Sequence, residues 1–504
     1  MLVVGGGPVG LAVAIGLRRH GVDCLLVERH SSTLDFPKGR RVTVRSVEIF
    51  RQWGLEDSVV AVSLPRSESL FVFGGESLFA DAFSRVDLGT AETHSLSPTH
   101  EIICSQELLE PVLRQRAQDL GADVRFSAAL SGFTQDEGGV TARISAEAAG
   151  GALTVRARLL VAADGVRGGI RAAVGIGRSG AGAIGNRVSI LVEADVGARV
   201  ADRRAAVYWL TQPREGSVLA AVDNRSQWLL SIAIDPAIET EDTFTDEYCT
   251  QLVLDAFGDP TIKARVRGVR FWQPTSLVAD SFRAGRVFLA GDAAHVTTPV
   301  GGLGMNCGIA DAHNLVWKLG GVHAGWATPA LLDSYEPERR PVARASAEAS
   351  LGPARPPASV DGLVLGYPYR SEAVVDDGTP APEFADPIGD YVPTARPGHR
   401  APHLWVNVDG TARSTLDLFG DGFVGLCGAE ATALAIESIA RSSRIPIRVH
   451  KIDDPAFLGL YGLGVDGLVI VRPDGYVGWR ARELPAGQEQ TIADGVNAIC
   501  SPNR

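Results

Sequence analysis

The chain lacks several features, and each absence narrows the function. Among its 504 residues there is no run of about eighteen apolar residues, so no transmembrane helix is expected. The N-terminus has neither a basic n-region nor a small-residue cleavage site, so no secretory signal is expected. No basic run occurs, and 48 basic against 59 acidic residues leave a net charge of −11. Such a chain is not expected to take nucleic acid or a membrane as its main partner. Cysteine is sparse. Cys24, Cys104, Cys249, Cys307, Cys427 and Cys500 stand far apart, with no CxxC and no metal-ligand spacing. Free thiols in a reducing cytoplasm are the expectation. HExxH is also absent, so no metal is expected.

What is present reads as a soluble globular protein: 45% hydrophobic and 21% charged residues. The length exceeds what one core supports and implies several domains. The start "MLVVGGG" is abrupt, because a first strand normally has a few residues ahead of it. A clipped or misassigned start would account for that.

Residues 2–30, "LVVGGGPVGLAVAIGLRRHGVDCLLVERH", read as strand, glycine turn, helix, turn, strand. Gly5, Gly7 and Gly10 fall on G-x-G-x-x-G. The first glycine permits the turn, the second lets a pyrophosphate approach the backbone, and the third allows close helix–strand packing. The helix starting at Pro8 and Val9 aims its N–H groups at the phosphates. Glu28 ends the second strand, where a carboxylate can accept hydrogen bonds from a ribose diol; Arg29 follows it. NAD and FAD both fit this unit. A second glycine-rich turn, "GDAAHVTTPVGGLGMN", lies nearly three hundred residues downstream. "RVFLAGD" is a strand ending at Gly291 and Asp292, and the acid suits a ribityl hydroxyl. The glycines after it allow close approach to a flat ring. The amphipathic helix "GIADAHNLVWKL" can place N–H groups at a ring edge that gains negative charge. The two turns are therefore expected to grip the two ends of one dinucleotide.

Three motifs, "GGGPVG" with Glu28, "ADGVRGGIR" at 163–171 and "GDAAHVTTPVGGLGMN", carry a resemblance to a known family. The sequence resembles the class A flavoprotein monooxygenases, the p-hydroxybenzoate hydroxylase-like aromatic hydroxylases, and within them the multidomain enzymes of phenols and aromatic polyketides. The resemblance implies FAD as cofactor and NAD(P)H as transient co-substrate. It implies that Asp164, with Gly165, supports the flavin side and NAD(P)H use. Asp292 would bind the ribityl chain, Pro299 would lie beside the ring, and Gly304, Met305 and Asn306 would contact its pyrimidine edge, with Gly302 in the same set. Arg45 in "RSVEIFRQWGL" and Gln106 in "SQELLEPVL" would also reach FAD. The chain departs from the family in having Gly168 after Arg167, where serine is usual, and Lys38 where arginine is common.

The expected fold class is α/β: a Rossmann-like FAD-binding domain (1–175, returning at 279–396), an inserted β-sheet substrate domain (176–278) and a C-terminal thioredoxin-like domain (397–504). The β-rich segment is read as a roof over the ring, with Trp209, Trp228 and Trp272 as candidate pocket walls, although sheet core is the commoner fate of a single tryptophan. "DNRS" is expected as a turn, Gly121 as a helix stop, Pro337 as a helix break, and the stretch before 397 as a surface linker. The last unit has one cysteine in "LCGAEAT", so thiol–disulfide work is not expected, and its role is read as packing or homo-oligomerisation. His295 and His313 are read as structural. The implied reaction transfers oxygen from a flavin hydroperoxide to an electron-rich aromatic ring, with O2 and the aromatic molecule as partners. A halogenase is disfavoured because WxWxIP is absent. A protein sequestering a reactive intermediate, a flavin reductase without oxygen transfer, and a decayed flavin site remain as alternatives.

Overall fold

The computed structural model describes residues 1–501 apart from 70, 88–94, 147–150, 353–358, 409, 485, 486 and 488. One six-stranded sheet is built from three distant parts of the chain. Its order is Arg283–Ala284, Val287–Leu289, Leu160–Ala162, Leu2–Val4, Leu25–Val27 and Asp123–Arg125, with all neighbours parallel except the first pair. Leu2–Val4, Leu160–Ala162 and Val287–Leu289 are buried throughout. This is what strands covered on both faces require, and it explains their uninterrupted apolar sequence. The carboxyl ends of Leu2–Val4 and Leu160–Ala162 lie side by side, which puts the Gly5 turn and the Asp164 turn next to each other.

The helix Pro8–Arg19 packs on the long helix Leu303–Ala324. Their approach is close: a Cβ on Gly16 would lie 2.5 Å from Val316. The long helix is not an amphipathic surface helix. It is buried from Asn306 to Gly321, with Asp311, Asn314 and Lys318 inside.

A seven-stranded sheet forms the second layer. It runs Arg265–Trp272, Arg187–Glu193, Gln227–Ala233, Ser217–Ala221, Val207–Leu210, Phe71–Gly75 and Phe83–Asp87. Two of these strands come from the stretch expected to belong to the first cofactor segment, so this sheet is not the contiguous 176–278 block. The sheet closes by pairing Val207–Leu210 in parallel with Phe71–Gly75, a long-range pairing that no local pattern announces. One face carries Val188, Ile190, Tyr208, Trp228 and Leu230 and packs on the helix Asp246–Phe257. The other face carries Leu191, Ala220, Val222 and Leu229 and meets Phe36 from the cofactor unit. The "DNRS" turn forms as expected, with Asp223 accepting from the N–H groups of Arg225, Ser226 and Gln227.

The C-terminal unit has strand order Ile447–Lys451, Phe423–Cys427, Leu468–Val471, Val477–Ala481. The first pair is parallel and the others antiparallel, with helices Glu430–Ser442 and Glu489–Cys500 packed on it, a thioredoxin-like arrangement. Burial pushes the Cys427 thiol up to about 12, so it is no thiolate. Two expectations are corrected. The stretch before 397 is a surface linker only in part: residues 376–394 run over the surface without helix or strand, but Leu365, Tyr369, Ala373 and Ala395 are buried, and Tyr369 stacks on Tyr476 at 4.0 Å. Pro337 does not break a helix. It sits in the first turn of Tyr335–Ala349, where its missing N–H would have had no partner. No helix among the described residues is long and apolar enough to cross a membrane.

Candidate functional site

The site begins at the Gly5 turn. Gly5 has φ +112, and a Cβ there would sit 2.1 Å from the Ala163 carbonyl. A Cβ on Gly10 would sit 1.9 Å from the carbonyl of Gly5, so only glycine lets the helix start this tightly. Gly7 caps the helix without a side-chain hydrogen bond, and no acid stands in the first turn. The first N–H groups are thus left for an external anion. Glu28 accepts from the Gly6 N–H at 2.7 Å and the His30 N–H at 2.9 Å, which fixes its carboxylate beside the turn.

The downstream turn closes onto the same place. A Cβ on Gly291 would lie 2.8 Å from Val9, and one on Gly308 would lie 2.5 Å from Val9 and 3.0 Å from Gly291. Val9 is therefore the point where residues nearly three hundred positions apart meet. Gly301 and Gly302 have φ +78 and +64, and the helix Leu303–Ala324 starts with no side-chain cap and no acid in its first turn. Asn306 locks that start to the strand Arg41–Val42, accepting from Thr43 N–H at 2.9 Å and donating to the Arg41 carbonyl at 2.8 Å. From Gly7 a row of groups leads to this corner. Glu110 faces Gly7 and accepts from Gln106 Nε2 at 2.7 Å, and Gln106 and Met305 both lie beside Gly39.

Two carboxylates in this region are poorly served. Asp292 is exposed to solvent although protein crowds around its carboxyl, and it has no hydrogen-bond partner among the described residues. Desolvation pushes its carboxyl up, against the pull of His295 and Lys38. Asp164 accepts from the Ile170 N–H at 3.2 Å through Oδ2, while Oδ1 is buried without a partner. Desolvation pushes this carboxyl up as well, against Arg29 and Arg171. The departure at position 168 has a reason here, since a Cβ on Gly168 would lie 2.1 Å from the Asp164 carboxyl.

The comparisons with known proteins decide the family. A family model described as an FAD binding domain matches residues 1–350, and one described as the C-terminal part of aromatic-ring hydroxylases matches 394–502. The chain belongs to the FAD-binding aromatic-ring hydroxylases. It is 38% identical to the tetracenomycin A2 monooxygenase-dioxygenase of Streptomyces glaucescens, over 96% of this chain and 94% of that one. Among solved structures it is similar to the flavin-dependent monooxygenase PieE in complex with FAD and substrate, at 30% identity, TM-score 0.91, and 99% and 97% coverage. It is equally similar to aklavinone-11 hydroxylase in a ternary complex with FAD and aklavinone, at 32% identity, TM-score 0.91, and 99% and 98% coverage. The hydroxylase is an FAD-dependent monooxygenase that consumes NAD(P)H.

Within this hydroxylase the expected residues do not all converge. Gly5, Gly7, Pro8, Val9, Gly10, Glu28, Gln106, Asp164, Gly291, Asp292, Gly302, Gly304, Met305 and Asn306 belong to the two turns and the row between them; Arg29 faces Asp164, and Pro299 is exposed at the start of the second turn. Arg45 is a correction. Its guanidinium is buried against Glu48 at 2.9 Å and the Asp474 carbonyl at 2.6 Å, over the Tyr476 ring, so it serves the C-terminal unit. The carboxylate in its own helix, three residues on, is the competing partner. Trp228 is a second correction. It lies in the sheet core with Nε1 on the Ala194 carbonyl, on the face turned away from Phe36. Trp228→Ala is expected to cost about 3–5 kcal/mol of stability by cavity formation, seen as a lower melting temperature with flavin content per folded molecule unchanged. Trp209 and Trp272 are half-buried on the opposite face, Trp272 donating to Ser189 at 2.9 Å.

Sequence reasoning missed Asp311 and Arg339. His295 is structural, as expected, but it is part of a buried charged chain. Its Nε2 meets Asp311 at 2.6 Å, and Asp311 accepts from Arg339 Nε at 2.8 Å and from Gly291 N–H at 3.1 Å. The last bond ties this chain to the Asp292 turn. Burial alone would push His295 down, but Cys307 and Asp311 outweigh it and hold it well above its ordinary value. His295, Cys307 and Asp311 are metal-ligand types, yet the Arg339 guanidinium already supplies the cation there. The signal was present in the sequence: Asp311, Asn314 and Lys318 make a polar stripe at helical spacing inside an apolar helix. Burial works against the Asp311 carboxylate, but His295 and Arg339 prevail and bring it to about 2. Its folded value lies below its ordinary 3.8, so its stabilisation is full above that value and is lost as pH falls towards about 2. We expect Asp311→Asn to lose about 2 kcal/mol or more at neutral pH and to show a flatter acid limb in melting temperature against pH.

Proposed function

We propose that this hydroxylase inserts one oxygen atom of O2 into an electron-rich ring carbon of an aromatic, phenolic or polyketide-like molecule. The observation that carries the reading is the meeting of two uncapped helix starts across Val9 and Gly291, with Asp292, which has no partner among the described residues, next to Gly291. FAD fits that arrangement. Bound there, it would supply the redox chemistry that a reaction of NAD(P)H with oxygen requires.

The protein's own groups bind and shield. The first N–H groups of the helix Pro8–Arg19 would hold the diphosphate, and Glu28 the adenosine ribose. Asp292 would accept from ribityl hydroxyls, which offer the donors it lacks. The N–H groups at the start of Leu303–Ala324, with Met305 and Asn306, would face the polar edge of the ring and stabilise negative charge gained on reduction. Asp164 Oδ1 is a second buried acceptor awaiting a donor. The sheet face with Leu191, Leu229 and Ala220 supports an apolar roof that excludes water from the ring, with Trp209 and Trp272 as its proposed aromatic walls.

The test is the visible spectrum during anaerobic addition of NADPH, with and without aromatic polyketides. Bleaching of the oxidised flavin bands, faster with the aromatic compound and followed by a hydroxylated product in air, is the expected result. Bleaching with no oxygenated product from any aromatic compound would refute oxygen transfer.

A further inference from the structure

The buried carboxylates among the described residues are Glu48, Glu110, Asp311, Glu338 and Asp474. Glu48 pairs with Arg45 and Arg400, Asp311 with Arg339, and Glu338 and Asp474 with Arg472. Glu110 is the exception. Its hydrogen bonds come from neutral donors: Gln106 Nε2 donates to Oε1 and the Leu34 N–H to Oε2, each at 2.7 Å. A carboxylate sealed away from water with no cation bonded to it is costly as an anion.

Its position adds a second cost. Gly7 is where a diphosphate must approach the backbone. The group facing the open side of that glycine is Glu110 Oε1, 3.9 Å from where a Cβ would stand. The helix start beside it offers N–H groups that suit an anion. An ionised Glu110 would oppose that anion at short range, whereas a neutral one would donate to it. From other elements, Lys38 attracts the carboxylate and Glu28 repels it. Lys38 is exposed, has no hydrogen bond or ion pair among the described residues, and pulls on Asp292 as well. On the helix of Glu110 itself, Arg114 lies over the Phe126 ring and Glu107 accepts from Ser105. Burial outweighs Lys38 and pushes the Glu110 carboxyl up before any ligand arrives.

We propose that Glu110 is a cofactor-binding residue in its neutral form, its O–H turned to the FAD diphosphate, so that FAD binding takes up one proton from solvent at this carboxyl. The proposal rests on the placement of the FAD diphosphate at the Gly7 turn. It makes the hold on FAD depend on pH. Without FAD, Glu110 titrates at its raised value, and the diphosphate raises that value further. Below the first value the carboxyl is neutral in both states, and FAD is held best. Between the two values affinity falls with each unit of pH. Above the second the acid is ionised in both states, and FAD is held worst. Asp292 would act with the opposite sign, because ribityl donors favour its ionised form and FAD would release a proton there.

The experiment follows FAD release from diluted holoenzyme by flavin fluorescence, from about pH 5.5 to about pH 8.5. The FAD diphosphate stays ionised throughout, so the slope belongs to the protein. The wild-type Kd is expected to rise with pH, by up to about tenfold per unit. Glu110→Gln cannot ionise and keeps an acceptor for the Leu34 N–H. It is expected to flatten the profile and to hold FAD more tightly than the wild type at the alkaline end. Lys38→Met breaks no bond of the fold, so it carries the test even if Glu110→Gln does not accumulate. Loss of that cation is expected to move the rise in Kd to higher pH. The same profile in wild type and Glu110→Gln, or a profile that Lys38→Met does not move, would overturn the proposal. A protein that retains no FAD at any pH would refute the placement of the cofactor itself. Hydroxylation of an aromatic ring does not enter the measurement, so the proposal stands or falls apart from that reading.

Discussion

Asp292→Ala is expected to purify folded but nearly colourless, with FAD affinity lower by about one to two orders of magnitude. The carboxylate holds nothing together in the protein: it has no hydrogen-bond partner among the described residues. Its removal therefore breaks no contact of the fold. Desolvation raises its pKa, which means that folding disfavours its ionised form. The cost is present above the folded pKa and falls away as pH drops through it. Replacing it should thus leave the melting temperature of the apoprotein unchanged or slightly raised at neutral pH. The measurement is flavin absorbance per protein, alongside melting curves of both apoproteins. A variant that retains full FAD, or one that fails to fold, would contradict the role given to Asp292.

Arg472→Met should do the opposite. Arg472 comes from the C-terminal unit and enters a sealed cluster. It donates to both oxygens of Glu338 at 2.6 and 2.8 Å and to Asp474 at 3.1 Å. Lys318 donates to Glu338 at 2.7 Å, and Asn314 bridges Glu338 and Asp474. Two cations and two anions balance there, all buried. Removal of Arg472 leaves a net buried negative charge, a loss on the order of 3–5 kcal/mol. The expected result is a large fall in melting temperature and in soluble yield, with flavin stoichiometry of the surviving folded protein unchanged. Arg472→Lys keeps the charge but not the fork, and should fall between. Arg400 makes a second such tie, pairing with the buried Glu48 of the cofactor unit. The C-terminal unit thus supplies part of the counter-charge for buried acids of its neighbour.

The two variants separate binding from folding, and the same division runs through what could be read from the chain. Features that depend on neighbours in sequence were legible. The glycine turn at Gly5–Gly10, the acid after the second strand, the Asp292 turn and the "DNRS" hairpin follow from local sterics and from hydrogen bonds within a few residues. The sequence by itself therefore determined the cofactor motifs, the alternation of strands and helices around them, and the thioredoxin-like order of the last hundred residues. It did not determine which faces meet. Arg45 matches a flavin-binding pattern, yet its guanidinium turns to Glu48, which it shares with Arg400, and to the Asp474 carbonyl, because a buried guanidinium settles where the packed fold supplies acceptors. Trp228 and Trp272 lie on strands that flank Arg187–Glu193 in one sheet, yet the first is sealed in its core while the second is half-buried on the opposite face. The strand Phe71–Gly75 joins that sheet from the far side of the cofactor motifs, and Arg472 finds Glu338 across more than a hundred residues. In each case the deciding quantity is desolvation. Its cost depends on what the assembled fold places alongside a group, and that is set only when the distant segments pack.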